Sequence, residues 1–323
     1  MLDNRDAQAL DAAKLYYVSS LSQAEVAAQL GVSRPTVSKL LAYAREQGFV
    51  TISINDPRES SDEVVEQMRL AFGLKTVRVV RPVGETKDEL LSELGNVGAA
   101  LLEDMLQDGM SVGLSWGTTM LSVSEHMRKL DLSGMKVVQL KGGHAHSSRS
   151  TSDMVTLTRM ARALNAEVSL LPLPVILDNK QAFEIVTQDR HIKEMLDEGA
   201  NVDVALFTVG DVSPENLVMN LGLMGQEESK KLMARAIGDA CSRFYDVNGD
   251  VAVKEIDERT VAIQLEELRS RPARLLVAGG ESKVQAITVA LRMGLATHLV
   301  IDIETAQRVL REDARGVDPS LGR

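Results

Sequence analysis

Two helix caps on either side of a single glycine constrain this sequence more than any other feature. Ser22 stands three residues before Glu25, the Ser-x-x-Glu spacing of a capping box, in which each side chain satisfies the other residue's free backbone N–H. The pattern over residues 23–30 then places Val26, Ala27 and Leu30 on one helix face. Gly31 ends that helix, because glycine alone takes left-handed backbone without steric cost. Val32 fits the angle between two helices, and Ser33 caps a second helix over residues 34–47. Pro35 falls in its first turn, where a missing N–H does no harm. Val37, Leu40, Leu41 and Ala44 form its buried stripe, Gly48 terminates it, and FVTISI (49–54) reads as a β-wing. A short amphipathic helix over residues 10–18 precedes the pair, with Leu10, Ala13, Leu15 and Tyr17 available for packing.

Capped helix, glycine turn, capped helix is helix-turn-helix spacing. In that geometry the second helix enters the DNA major groove N-terminus first. Its exposed residues are then Ser33, Arg34, Thr36, Ser38 and Lys39. Arg34 suits a bidentate contact to guanine, and the hydroxyls and Lys39 suit phosphates. An ordinary helical hairpin with serine caps is the simpler reading, but it leaves the joint occurrence of cap, turn, plug and polar face unexplained. Charge neither supports nor excludes DNA. The chain carries a net charge of −10, yet residues 1–58 hold as many basic as acidic side chains, so the remainder bears the whole excess. Such a balance predicts strong salt dependence and a field that repels DNA everywhere except at this face.

The polar run at 55–62, with its proline, separates this segment from the rest of the chain, giving a DNA-binding domain at 1–56 and a larger domain at 57–323. A chain of 323 residues accommodates about two domains at roughly 150 residues each. Past the break, β-rich runs alternate with helical patterns: 76–80, 111–115, 136–140, 167–175, 203–209, 260–265, 274–280 and 297–302. That alternation predicts an α/β fold with a mostly parallel sheet covered by helices on both faces. No stretch of about 18 apolar residues without charges occurs, which argues against a membrane span. The N-terminus has no apolar signal-peptide core. The single cysteine, Cys241, excludes an internal disulfide and reads as buried and inert. A cytoplasmic protein without cofactors is the expectation.

Four of the β-rich runs end in glycine and polar residues just before a helix: Gly117-Thr118-Thr119 after 111–115, Lys141-Gly142-Gly143 after 136–140, Gly210-Asp211 after 203–209, and Gly279-Gly280 with Lys283 after 274–278. Parallel strands bring their carboxyl ends to one edge, where open α/β folds bind ligands. Helix N-termini at Thr118 and Glu281 suit a phosphate, helped by hydroxyls and the Lys283 cation. One such loop is as often a plain tight turn; four along one edge point to an anion or sugar site. No GxxxxGK[ST] occurs, which argues against nucleotide hydrolysis.

The ordered set SQAEVAAQLGVSRPTVSKLL, GLSWGTTM, LKGG, AIGDACSRFYDVNG and LLVAGGESKVQAITVALRMGLATHLVID resembles the SorC family of sugar-responsive bacterial transcriptional regulators over nearly the whole chain. The resemblance implies a winged-type helix-turn-helix joined to an effector domain related to ribose-5-phosphate isomerase and glucosamine-6-phosphate deaminase. It further implies operator DNA and a phosphorylated sugar as partners, and a homo-oligomer (dimer or tetramer). It also implies control, as a repressor or an activator, of a carbohydrate or nucleoside catabolic operon, with repression the first expectation and a deoxyribonucleoside operon among the candidates. Carried over by motif, Gly117, Thr118, Thr119 and the Lys283 loop hold phosphate, and Asp211 and Asp246 meet sugar hydroxyls.

Lys141 has two readings: a hydrogen bond or salt bridge to the ligand, or an amine of lowered pKa that forms a Schiff base with an open-chain aldose phosphate such as deoxyribose 5-phosphate. Trp116 either stacks on a sugar or packs in the core. His144 and His146 lack a convincing third ligand, so no metal is expected. The rival to a regulator is a sugar-phosphate isomerase or deaminase with an appended DNA-binding module, using Asp211 or Glu281 as base and Lys141 as electrophile or nucleophile. Such an enzyme has no need of a capped DNA-reading helix, so no enzymatic activity is expected.

Overall fold

The structure, a computed structural model, describes residues 4–50, 52, 63–82, 84, 86–143, 152–213 and 221–316. It divides into two compact units, Met1–Ile54 and Asn55–Arg323.

In the first unit α1 (Asn4–Ala13) runs into a π-helical turn (Lys14–Val18), followed by α2 (Gln23–Leu30) and α3 (Arg34–Glu46). The capping box forms as the sequence requires: Ser22 N–H donates to Glu25 Oε2 at 2.8 Å, and Glu25 N–H to Ser22 Oγ at 3.4 Å. Those bonds hold the Glu25 carboxyl below its usual pKa. Gly31 takes φ 65° and the Val32 N–H returns to the Ala27 carbonyl, closing the turn. Val26, Ala27, Val37, Leu40, Leu41 and Ala44 are buried with Ala9, Ala12 and Ala13 of α1. The small alanines let α1 lie close against α3. The first helix departs from expectation in its face. The π turn shifts the periodicity, so Tyr16 packs on the core while Tyr17 is 37 % exposed. Phe49 and Val50 also pack there; residues 51 and 53–54 of the expected wing lie outside the described residues. Ser22→Ala is expected to cost about 1 kcal/mol of this unit's stability, read by thermal melting or by hydrogen exchange of α2 amides.

The second unit alternates strands and helices: α4 (Glu63–Phe72), β1 (Thr76–Val80), α5 (Lys87–Met105), β2 (Ser111–Leu114), α6 (Thr118–His126), β3 (Lys136–Gln139), α7 (Asp153–Leu164), β4 (Glu167–Ser169), α8 (Lys180–Thr187) and α9 (Arg190–Ala200). After these come β5 (Val204–Phe207), β6 (Val209–Asp211), α10 (Gln226–Met233), β7 (Gly238–Ala240), β8 (Arg243–Tyr245), α11 (Lys254–Asp257) and α12 (Leu265–Arg269). The last elements are β9 (Ala273–Val277), a 3₁₀ turn (Glu281–Lys283), α13 (Val284–Arg292), β10 (His298–Asp302) and α14 (Ile303–Arg315).

Seven strands form one sheet in the order β1-β10-β9-β5-β2-β3-β4, with every neighbour parallel. Its strands are apolar on both faces because both faces are covered. Leu206, Leu275, Val277 and Val300 join α5, α6 and α7 in one core. Phe207, Leu276, Leu299 and Ile301 point the other way, into a core with α4, α13 and α14. The chain fills β2, β3 and β4 outward, then returns to place β5 on the other side of β2. The sheet therefore changes direction between β2 and β5, opening a crevice at their carboxyl ends.

A three-stranded antiparallel sheet, β6-β7-β8, is an addition that the strand–helix alternation does not predict. It takes up Val209–Asp211, expected as strand end and loop. Two expected strands shrink. Residues 167–175 form a ladder only over Glu167–Ser169, with one isolated bridge from Pro174 to Gly143, since Pro172 and Pro174 supply no ladder donors. Residues 260–265 make only isolated bridges, Thr260 with Ile176 and Ala262 with Lys141.

Candidate functional site

The polar face of α3 is built from its cap outward. Ser33 Oγ accepts the Thr36 N–H at 3.3 Å and shares a 2.8 Å hydrogen bond with Thr36 Oγ1. With Val37, Leu40, Leu41 and Ala44 turned inward, Ser33, Arg34, Thr36, Ser38 and Lys39 are all exposed. Two cations and three hydroxyls thus lie in the first two turns, at the positive end of the helix dipole.

In the second unit a cavity of about 960 Å³ opens beyond the carboxyl edge of the parallel sheet. It gathers Thr118, Asp211, Gly279, Gly280 and Lys283 from three of the four glycine loops, those after β2, β5 and β9. Lys87, Thr86 and Asp302 also line it, and none of the three was expected from the sequence. They carry no Gly-Gly signature, but each sits where a strand of this edge meets its helix, and that placement was the available signal.

The helix starts around the cavity differ. α5 is closed by Thr86 and Glu89 in a capping box, and α14 by Asp302, whose Oδ1 accepts the Thr305 N–H at 2.9 Å. Asp302 Oδ2 and Thr305 Oγ1 also accept the Gly280 N–H, at 3.0 and 2.9 Å, while Gly280 adopts φ 99°. The amide expected to meet an anion is thereby used to fix the β9–α13 loop. By contrast α6 starts at Thr118 behind Gly117 with no side-chain cap, which leaves its first-turn amides for a ligand. Thr119 is buried behind Thr118. Half-buried Lys283 has its pKa lowered by desolvation, opposed by Asp211 and Asp239 and reinforced by Lys87.

Lys141 does not line this cavity. It is 5 % exposed, with Nζ 3.2 Å from Ser242 Oγ and 3.7 Å from the centre of the Trp116 ring. Burial pushes its pKa down, and Asp239, Cys241 and Asp153 pull it back. The Cys241 thiol is driven up to about 12 by the same burial. Trp116 is buried and donates Nε1–H to the Gly142 carbonyl at 2.9 Å, so core packing and the lysine contact both describe it. A Cβ on Gly142 would stand 2.5 Å from the Leu173 carbonyl oxygen, which explains why no side chain fits there. Gly143 borders a smaller cavity of about 300 Å³ with Gln139, Asp153 and Met154. Between β7 and β8, Cys241 and Ser242 both hold positive φ, at a cost of roughly 1–3 kcal/mol each.

Asp246 is not brought to the cavity. Its Oδ1 accepts the Asn248 and Asp250 N–H groups at 2.8 and 3.0 Å and organises a tight turn. His144 and His146 lie outside the described residues. Among the described residues no His, Cys, Asp and Glu group has metal-holding geometry, and no helix is long and apolar enough to cross a membrane. Ser115, at the end of β2, keeps a buried Oγ with no hydrogen-bond partner among the described residues. Ser115→Ala is therefore expected to leave the melting temperature unchanged or raise it by about a degree or two, since the substitution removes a desolvated hydroxyl and no bond. Calorimetry on the unliganded chain checks this.

Residues 56–311 match the family model described as Putative sugar-binding domain. The deoxyribonucleoside regulator of Bacillus subtilis (strain 168) is 39% identical over 303 residues, 94% of this chain and 97% of that protein. The sorbitol operon regulator of Klebsiella pneumoniae is 35% identical over 302 residues, 93% of this chain and 96% of that protein. The crystal structure of that full-length regulator, SorC, superposes with a TM-score of 0.73, at 34% identity, over 96% of this chain and 100% of its own. The chain belongs to the SorC-type family of transcriptional regulators that carry this sugar-binding domain.

Proposed function

We propose that this protein is a DNA-binding repressor of a carbohydrate or nucleoside catabolic operon, gated by a phosphorylated sugar. The carrying observation is the cavity that collects Thr118, Asp211, Gly280 and Lys283 at one sheet edge, in a chain whose other unit turns Arg34 and Lys39 to solvent. The uncapped start of α6 and the Lys283 ammonium take the phosphate, and Asp211 accepts from a sugar hydroxyl. α3 reads operator DNA. A homo-oligomer, dimer or tetramer, sets two such helices about 34 Å apart, or a multiple of that. A ligand that prefers one arrangement of the oligomer shifts DNA affinity by linkage, with about 1–3 kcal/mol giving roughly 5- to 150-fold modulation. The protein acts in the cytoplasm as a sensor and not as an enzyme.

Lys141 favours an aldehyde ligand. Its burial pushes its pKa down, the direction that favours the neutral amine imine formation needs. The nitrogen bonds to the aldehyde carbon, the carbonyl oxygen leaves as water with the two amine protons, and a C=N bond remains. The relative named for deoxyribonucleosides makes 2-deoxyribose 5-phosphate the first candidate.

Gel-shift titration on the promoter of the protein's own operon, with a panel of pentose and hexose phosphates, tests the gating. At least one member is expected to change DNA affinity, and a panel without effect counts against the reading. Borohydride trapping followed by intact mass tests the imine: binding without an adduct rejects it. Incubation of the responding sugar with the protein is expected to return it unchanged.

A further inference from the structure

The hairpin joining β7 to β8 turns on Cys241 and Ser242, both fully buried and both at positive φ, 52° and 65°. Two-residue turns of this hand are ordinarily made from asparagine and glycine, because a Cβ crowds the neighbouring backbone there. Side chains persist at such positions only where the surroundings over-determine them, and such positions cluster at ligand sites. Here the surroundings are specific. Asp239 Oδ2 accepts the Ser242 N–H at 2.9 Å, and Ser242 Oγ accepts from Lys141 Nζ at 3.2 Å. On another side the Trp116 ring lies 3.7 Å from Nζ, and the indole N–H is bonded to the Gly142 carbonyl, next in the chain to Lys141. The charged and titratable groups acting on the amine come from the hairpin (Asp239, Cys241) and from the start of α7 (Asp153), and Arg243 acts on the same hairpin through Cys241.

We propose that Ser242 is a positioning residue for Lys141: the strained turn, anchored by Asp239, exists to hold a hydroxyl against the amine so that it meets the ligand in one orientation. The inference rests on the reading of Lys141 as the ligand-facing amine, and it names residues that neither the glycine loops nor the cavity lining points to.

The deciding variant is Ser242→Gly. Glycine accepts this φ without strain, so the fold keeps or gains stability while the hydroxyl is lost. Trp116 is the chain's only tryptophan, so its emission reports Lys141 without any ligand. In the full-length protein Trp116 emission is expected to titrate with pH, and Lys141→Met is expected to abolish the transition. Ser242→Gly is expected to reduce its amplitude about twofold or more, because the amine is no longer pinned on the ring. Asp239→Asn is expected to move the midpoint about one pH unit lower, because a carboxylate that favours the ammonium is gone. In a second arm, 2-deoxyribose 5-phosphate is titrated by calorimetry. Ser242→Gly is expected to weaken its binding about fivefold or more in the wild-type background and to have no further effect beside Lys141→Met.

A folded Ser242→Gly protein whose emission titration matches wild type overturns the inference, as does an equal loss of affinity in both backgrounds. Failure of the underlying reading looks different: Lys141→Met then binds the sugar phosphate as well as wild type, whatever the emission shows.

Discussion

Replacing Arg34 and Lys39 together with alanine is expected to weaken operator binding about 100-fold while leaving fold and ligand binding intact. The magnitude comes from the role of each side chain on DNA. One bidentate arginine–guanine contact is worth about 1–3 kcal/mol of discrimination, and a lysine–phosphate contact adds a sequence-independent share. Both residues are exposed, and α3 is held by Val37, Leu40, Leu41 and Ala44, so the change in stability should stay within about 0.5 kcal/mol. The two substitutions also separate. Arg34→Ala should relax sequence preference. Lys39→Ala should weaken all sequences alike and reduce the salt slope by about one. Fluorescence anisotropy with operator and scrambled duplexes over a salt series reads both. Unchanged operator affinity in the double variant would remove α3 from the DNA interface.

Lys283→Met is expected to weaken binding of the responding sugar phosphate by about 10- to 150-fold, the equivalent of roughly 1.5–3 kcal/mol for a hydrogen bond to a charged group. Binding of the same sugar without its phosphate should not change. A pH dependence accompanies this. In the free protein desolvation and Lys87 lower the Lys283 pKa, and a bound phosphate raises it again. Between the free and bound values, binding takes up protons, so affinity falls as pH rises through that window. Calorimetry in two buffers of different ionisation enthalpy measures the uptake. Equal affinity in Lys283→Met, with the phosphate still required, would place the anion elsewhere on the rim.

Local patterns were legible wherever one residue's chemistry decides its own backbone. The Ser22–Glu25 box, the Gly31 turn and the Ser33 cap could be read without coordinates, because cap and turn preferences act over three or four residues. The inward face of the turn that follows α1 could not be read. A π turn at Lys14–Val18 rotates the helix by part of a residue step, and nothing in KLYYV announces it. The small β6-β7-β8 sheet was hidden for a related reason. Its strands are three residues each, too short for periodicity, and its turn residues, Cys241 and Ser242, are not those a hairpin of this kind normally uses.

The glycine loops were legible as strand–helix junctions, but their grouping was not. The β2, β5 and β9 loops contribute to the large cavity together with the Lys87 and Asp302 junctions. The β3 loop instead carries Lys141 beneath Trp116 and Gly143 beside the smaller cavity. The family resemblance carried Asp246 over as a sugar ligand, and in the structure its carboxylate accepts from the Asn248 and Asp250 backbone amides.

By itself, then, the order of residues determined the capped helix pair, the alternation of strand and helix, and the edge on which the loops had to emerge, since parallel strands joined by helical crossovers leave no other edge. Tertiary structure alone decided which loops became neighbours, which amides remained open and how deep Lys141 lies. Those outcomes depend on strand order, and strand order is set by packing between segments far apart in the chain, which no local pattern encodes.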